Sequence, residues 1–180
     1  LHGKKPGMTS EHFLEDLRLI RESLTSHKGA RALSDFDHLI DQVSFFGFHL
    51  ASLDFRDHAK KLRQAFLEVF PDLPFERTAL LKKIHSQARI GRSAALSPVS
   101  REWLKQLETL RWVQEKVDPV VADDYILSMT EDVEDVLGLF YFAKQKGLIK
   151  VTKKEVTKAS IGIIPLFESI HSLERADEVM

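Results

Sequence analysis

Two short runs, Tyr125-Ile126-Leu127-Ser128-Met129 and Ile161-Gly162-Ile163-Ile164-Pro165-Leu166-Phe167, are apolar almost throughout and too short for helices, so both predict buried strands. Between them Val133, Val136, Leu137, Phe140 and Tyr141 recur at helical spacing. Thr130 is the expected cap of that helix, Glu131 and Asp132 fall in its first turn, Lys144 and Lys146 in its last, and Gly147 lies just beyond. A strand–helix–strand order of this kind means parallel strands joined by a right-handed crossover. Strands apolar along their whole length predict burial on both faces of the sheet.

Upstream, Thr9 or Ser10 caps a first amphipathic helix carrying Phe13, Leu14, Leu17, Ile20 and Leu24. A second places Leu33, Phe36, Leu39, Ile40 and Val43 on one face and stops at Gly47. Phe48 to Phe55, after a glycine and before a charged helical stretch, predicts another strand. From Asp57 to about Arg111 the pattern reads as a helix, a loop marked by Pro71 and Pro74, a helix, a polar loop from Gly91 to Pro98, and a third helix with Trp103, Leu104, Leu107 and Leu110 that ends before Pro119. No strand is expected there. The class is α/β and helix-rich, with about three parallel strands. Three strands leave two unpaired edges, and the chain has no initiator methionine, so the expectation is a piece of something longer.

The 43% hydrophobic and 29% charged residues exclude disordered and coiled-coil classes. A net charge of −1 supplies no field to draw in nucleic acid or an anionic membrane. The basic run Lys144, Lys146, Lys150, Lys153, Lys154 and Lys158 has no arginine and no aromatic platform after Phe142, and reads as a solvated connector. No apolar run approaches the roughly 20 residues of a membrane span. The absence of cysteine excludes thiolate metal sites and a cysteine nucleophile and fits a reducing cytoplasm. Neither nucleic acid nor membrane is expected as a partner.

Catalytic residues in parallel sheets collect beyond the carboxyl ends of the strands. The predicted ends are Asp54 and Arg56 for the first strand, Ser128, Met129 and Thr130 for the second, and Glu168 for the third. Arginine suits bidentate capture of phosphate or carboxylate, and a carboxylate beside it is a candidate divalent-metal ligand. These residue types point to an anionic, phosphorylated substrate held with Mg²⁺. Structural alternatives stand beside each role. Arg56 can be an ion-paired surface residue, Glu168 a first-turn helix acid, and Ser128 and Thr130 capping groups; Asp54 can orient Arg56 or pair within the rim; His49 and His58 can be packed or solvated.

At these positions the sequence resembles phosphoenolpyruvate carboxylase. The family's Leu/Ile-Asp-Ile-Arg motif after a Phe-Gly stretch is similar to Phe46-Gly47-Phe48-His49-Leu50-Ala51-Ser52-Leu53-Asp54-Phe55-Arg56. Its Ile-Ser-Met strand followed by Asp-Val-Leu is similar to Ile126-Leu127-Ser128-Met129 with Asp135-Val136-Leu137. Its Pro-Leu-Phe-Glu-Thr-Ile segment is similar to Pro165-Leu166-Phe167-Glu168-Ser169-Ile170 with Leu173. Three motifs in the right order form a specific combination.

The resemblance implies a partial parallel barrel of the TIM type, about three βα strands with inserted α-helices, within a larger cytoplasmic lyase that is a homo-oligomer. The span 1–180 would be a single fragment of that catalytic barrel, with leading helices over 1–46, a strand plus helical insertion over 47–130, and βα units over 131–180. The implied substrates are phosphoenolpyruvate and bicarbonate, the products oxaloacetate and phosphate, and the cofactor Mg²⁺ or Mn²⁺. The resemblance gives Arg56 the catalytic and substrate-contact role and makes Glu168 the metal ligand; from their places at the predicted strand ends, Asp54 and Ser128 are further substrate-binding candidates. The family's mobile loop, second metal carboxylate and carboxylation-site residues lie outside this span, so the isolated chain is expected to be inactive and to need the remainder of its own polypeptide. The sequence departs from the family at Asp57, where glutamine is usual, and at Ser52, where some members have arginine. Two rivals remain: a non-catalytic helical interaction module, and an aldolase-type barrel lyase, which would need a lysine at a strand end.

Overall fold

A computed structural model describes residues 8–49, 51–86, 88, 90, 96–117, 119, 121–152 and 155–180. The chain forms two compact units, divided between Ser52 and Leu53. The first is a helical hairpin of α1 (Ser10–Ser26) and α2 (Ala30–Phe46). Thr9 caps α1 by accepting the His12 amide at 3.2 Å, and Leu17 of α1 and Val43 of α2 are buried. The turn between them is tight because a Cβ on Gly29 would lie 2.6 Å from Leu24 Cδ2. Arg21 closes the hairpin with a two-point ion pair to Asp37, Nε to Oδ1 at 2.5 Å and Nη2 to Oδ2 at 3.3 Å. Gly47, at φ 57, ends α2 as expected.

The second unit runs β1 (Phe55–His58), α3 (Ala59–Val69), α4 (Arg77–His85), α5 (Pro98–Lys116), β2 (Asp124–Ser128), α6 (Val133–Gln145), β3 (Ile149–Val151), β4 (Val156–Ala159), β5 (Gly162–Pro165), α7 (Ile170–Glu174) and α8 (Ala176–Val179). β1, β2 and β5 form one parallel sheet with β2 in the middle, in register Phe55–Tyr125–Ile163 and Arg56–Ile126–Ile164. The parallel sheet of three strands stands as expected. Among the described residues, the sheet is open, with β1 and β5 at its edges.

Helices α3, α5 and α6 cover one face only. Alternation along β2 buries Tyr125 and Leu127 completely, while Ile126 is only half-buried and Ile164, its neighbour on β5, is exposed. Among the described residues the expected burial on both faces is met on one face of the sheet and not on the other. The covered face is aromatic. Phe66 of α3 meets Tyr141 and Phe142 of α6 edge-on at centroid distances of 6.2 and 6.4 Å, and Trp103 of α5 meets Phe142 at 5.2 Å and Tyr125 at 6.5 Å. Gly138 permits this approach, since a Cβ there would lie 2.7 Å from Leu62 Cδ2.

Three further expectations are corrected. The first strand lies at Phe55–His58, later than the predicted Phe48–Phe55; within that stretch Phe48 and His49 are turn and bend, and Leu50 lies outside the described residues. The Arg56 side chain is exposed, and Asp57, which is buried toward the helices, is paired with Lys61 at 2.9 Å. Thr130 does not cap α6; its hydroxyl donates to the Leu127 carbonyl at 2.7 Å, and Asp132 is the cap, paired with Asp135 in a capping box. The lysine-rich connector holds an antiparallel hairpin, β3–β4, in which Lys150 pairs across from Lys158; Lys153 and Lys154 lie outside the described residues. Lys144 donates to the carbonyls of Ile84 and Ser86 at the end of α4, and Lys146 pairs with Glu108 at 2.5 Å. The polar loop expected from Gly91 lies outside the described residues up to residue 95. No described helix is long and apolar enough to cross a membrane.

Two carboxylates, one fully buried and one half-buried, tie the helices together. Asp135, fully buried at the start of α6, receives Arg63 of α3 through Nε and Nη2, each at 2.6 Å, while the same arginine reaches Glu131 at 2.8 Å. The two carboxylates raise the Arg63 guanidinium well above its ordinary value, so it stays charged. Glu68 of α3 accepts the Ser97 amide and the Gln64 side chain, each at 2.8 Å, at the start of α5. Burial pushes the Glu68 carboxyl up, but those hydrogen bonds outweigh it and hold it at about 2.

Removing the Arg63 side chain strands the buried Asp135 charge, and Arg63→Ala should cost about 3 kcal/mol in urea unfolding, with Arg63→Lys recovering only part of it because lysine cannot span both carboxylate oxygens. Ionised Glu68 stabilises the fold above the usual carboxylate value of 4.5, and that contribution is lost as pH falls from 4.5 to about 2. The stability of Glu68→Gln should accordingly fall less steeply than wild type over that window, measured by unfolding at stepped pH.

Candidate active site

The carboxyl ends of β1, β2 and β5 form one rim. β2 and β5 continue to exchange backbone hydrogen bonds past their ends: the Leu166 amide donates to the Leu127 carbonyl at 2.9 Å and the Thr130 amide to the Leu166 carbonyl at 3.0 Å. This clamp fixes the segment after β5 against the segment after β2. Met129, between them, takes the left-handed conformation at φ 54. In that conformation its N–H donates to Glu168 Oε2 at 2.8 Å.

The other carboxylate oxygen, Oε1, accepts from Arg56 Nη2 at 3.2 Å. Arg56 and Glu168 are 112 residues apart in sequence and meet on the open face of the sheet, their side chains 55% and 37% exposed. Arg56 reaches the rim from the second residue of β1 because alternation aims it away from the helices. Glu168 precedes Ser169, the cap of α7, whose hydroxyl accepts the Ser172 amide at 3.0 Å; Glu168 is therefore outside the helix and does not act as a first-turn acid.

The remaining predicted residues lie differently. Asp54 is exposed and precedes the first residue of β1, at the amino end of that strand, and makes no ion pair among the described residues. The Ser128 hydroxyl is buried and donates to the Asp57 carbonyl at 3.1 Å, bracing β2 against β1. His58 is spent as the cap of α3, its Nδ1 accepting the Lys60 amide at 3.0 Å. Asp57 faces the opposite side of β1 from Arg56. Its carboxylate accepts from the His58 amide at 2.7 Å, Gln106 at 2.9 Å and Lys61 at 2.9 Å. The departure at that position therefore belongs to the helix-facing core and not to the rim. Burial first, and then the Asp57 charge, push the Tyr125 phenol above its ordinary value, so it remains a neutral donor to Gln106 at 3.0 Å.

Sequence reasoning missed the Met129 N–H, the group that anchors Glu168. A backbone donor in a left-handed conformation at a methionine leaves no compositional signal. It singled out Asp57 as a departure beside the motif arginine but not its helix-facing role, for which Lys61 four residues on was the available cue.

Glu168 offers a hard oxygen donor that is partly open to solvent, and Mg²⁺ is ordinarily held by one or two carboxylates with water and substrate phosphate completing its shell. Glu168 fits one such position. Among the described residues no three histidine, aspartate or glutamate side chains converge on one point. Arg56 supplies the complementary charge for an anion beside that position.

A family model described as phosphoenolpyruvate carboxylase matches residues 3–180. Among curated proteins, the phosphoenolpyruvate carboxylase of a Synechocystis strain is 34% identical over 96% of this chain, and those of two Synechococcus strains are 32% and 33% identical over 93% of it. The chain spans 17% of the length of each of these relatives. With a match that runs along nearly its whole length, the chain belongs to the phosphoenolpyruvate carboxylase family.

Proposed function

We propose that this chain is part of the catalytic barrel of a phosphoenolpyruvate carboxylase, a lyase that joins bicarbonate to phosphoenolpyruvate to give oxaloacetate and phosphate. The observation that carries the reading is the meeting of Arg56 and Glu168 at 3.2 Å on the strand-end rim. The open sheet face and the two unpaired edges are what further strands of a TIM-type barrel would cover and pair, and the relatives' greater length supplies room for them. The carboxylase reading also carries the expectation of a cytoplasmic, homo-oligomeric enzyme. The divisions at 1–46, 47–130 and 131–180 are proposed as leading helices, strand with helical insertion, and βα units.

In this mechanism Arg56 binds the phosphate-bearing substrate and holds positive charge against the phosphoryl oxygens as the phosphoryl group leaves the enolate. Glu168, fixed by the Met129 N–H, would hold Mg²⁺ or Mn²⁺, which would supply Lewis-acid charge neutralisation. Ser128 keeps the β1–β2 spacing that presents Arg56, whereas Asp54, at the amino end of β1, is assigned no contact with substrate. The family resemblance puts the second metal carboxylate and the carboxylation-site groups outside this span, so the 180-residue chain alone should show no carboxylase turnover.

In the complete polypeptide, Glu168→Ala should lower kcat/KM by roughly 10²- to 10³-fold and weaken the apparent Mg²⁺ affinity, and Arg56→Ala should raise the KM for phosphoenolpyruvate while lowering kcat. A carboxylase assay across a Mg²⁺ titration reads both. Unchanged activity and metal dependence in both variants would return the chain to a helical interaction role.

A further inference from the structure

Arg56 and Glu168 hold each other through one hydrogen bond only, while Glu168 Oε2 is separately anchored on the Met129 N–H. An arginine carries five donors, and among the described residues Glu168 is the partner Arg56 reaches. A one-point, half-exposed ion pair is worth little and exchanges readily. A bidentate contact to a phosphate is stronger. The carboxylate anchor on the backbone does not depend on Arg56, so Glu168 keeps its place if the arginine turns away.

From this geometry we infer that the Arg56–Glu168 pair is a placeholder that makes anion capture conditional on the cation; the inference rests on the carboxylase reading. In the resting site the Glu168 charge occupies the guanidinium and repels an arriving phosphate at the same spot. A divalent cation taken up by Glu168 cancels that charge and frees the Arg56 fork. Glu168 thus has two opposed effects on substrate binding, unfavourable without the metal and favourable with it. A residue acting only as a metal ligand would have the second effect alone.

The test is calorimetric titration of phosphoenolpyruvate into the complete carboxylase polypeptide without bicarbonate, in EDTA and again in Mg²⁺. Glu168→Gln keeps an oxygen for the Met129 N–H while removing the charge. The expected result is that Glu168→Gln binds phosphoenolpyruvate roughly five- to tenfold tighter than wild type in EDTA, the scale of one charge at contact distance in a solvated site, and loses most of the gain from Mg²⁺. The double variant Arg56→Gln/Glu168→Gln should lose the EDTA gain. If Glu168→Gln binds no tighter in EDTA while Arg56→Gln still weakens binding, the placeholder is overturned and the carboxylase site stands. If Arg56→Gln changes binding in neither condition, the site assignment itself fails.

Discussion

Every functional feature of this chain depends on the parallel ladder that β2 makes with β1 on one side and β5 on the other. Arg56, Met129 and Glu168 come from segments separated by 73 and 39 residues, and no local interaction brings them together. The ladder does, and its two extra hydrogen bonds beyond the strand ends carry the register out to Glu168. Because side chains alternate along a strand, the same pairing sends Tyr125 and Leu127 into the helices and Arg56 to the opposite, open face. Packing and chemistry are thereby assigned to different faces of one sheet.

Holding that sheet requires that the helices behind it not slide. The aromatic contacts among Phe66, Trp103, Tyr141 and Phe142 supply area, but such packing is tolerant of small shifts. Directional restraint comes from polar groups. Arg63 locks α3 to the start of α6 through Asp135, Glu68 locks it to the start of α5, and Asp57 links β1 to α3 and α5 through Lys61 and Gln106. All three carboxylates lie on or just before helices and are satisfied by charge or by several donors, which keeps the desolvation cost offset.

Much of this was legible in the sequence. The helices from Ser10, Ala30, Pro98 and Val133 and the strands at Tyr125 and Ile163 are marked by apolar period, caps and flanking glycines, which act locally. β1 was misplaced because three of its four residues, Arg56, Asp57 and His58, are polar, whereas the preceding stretch contains the apolar Phe48, Leu50 and Leu53. Its strand identity comes from pairing with β2, a non-local property. The β3–β4 hairpin was hidden because solvent-facing lysines mask the short alternation of Ile149 and Val151. Of the candidate site, Arg56 and Glu168 were readable as residue types near strand ends, but Asp54 and Ser128 were not distinguishable from them. One residue of strand register decides whether a side chain faces the rim, the core or the amino end.

The claim on which the functional account turns is that Glu168 is a metal-ligating carboxylate standing beside a substrate arginine. It is tested most directly by a crystal structure of the complete carboxylase polypeptide grown with Mn²⁺, with anomalous maps to locate the ion. The account predicts an anomalous peak at about 2.0–2.2 Å from a Glu168 carboxylate oxygen, with Arg56 no longer bonded to it. An ion bound elsewhere, with the Arg56–Glu168 pair intact, would contradict it.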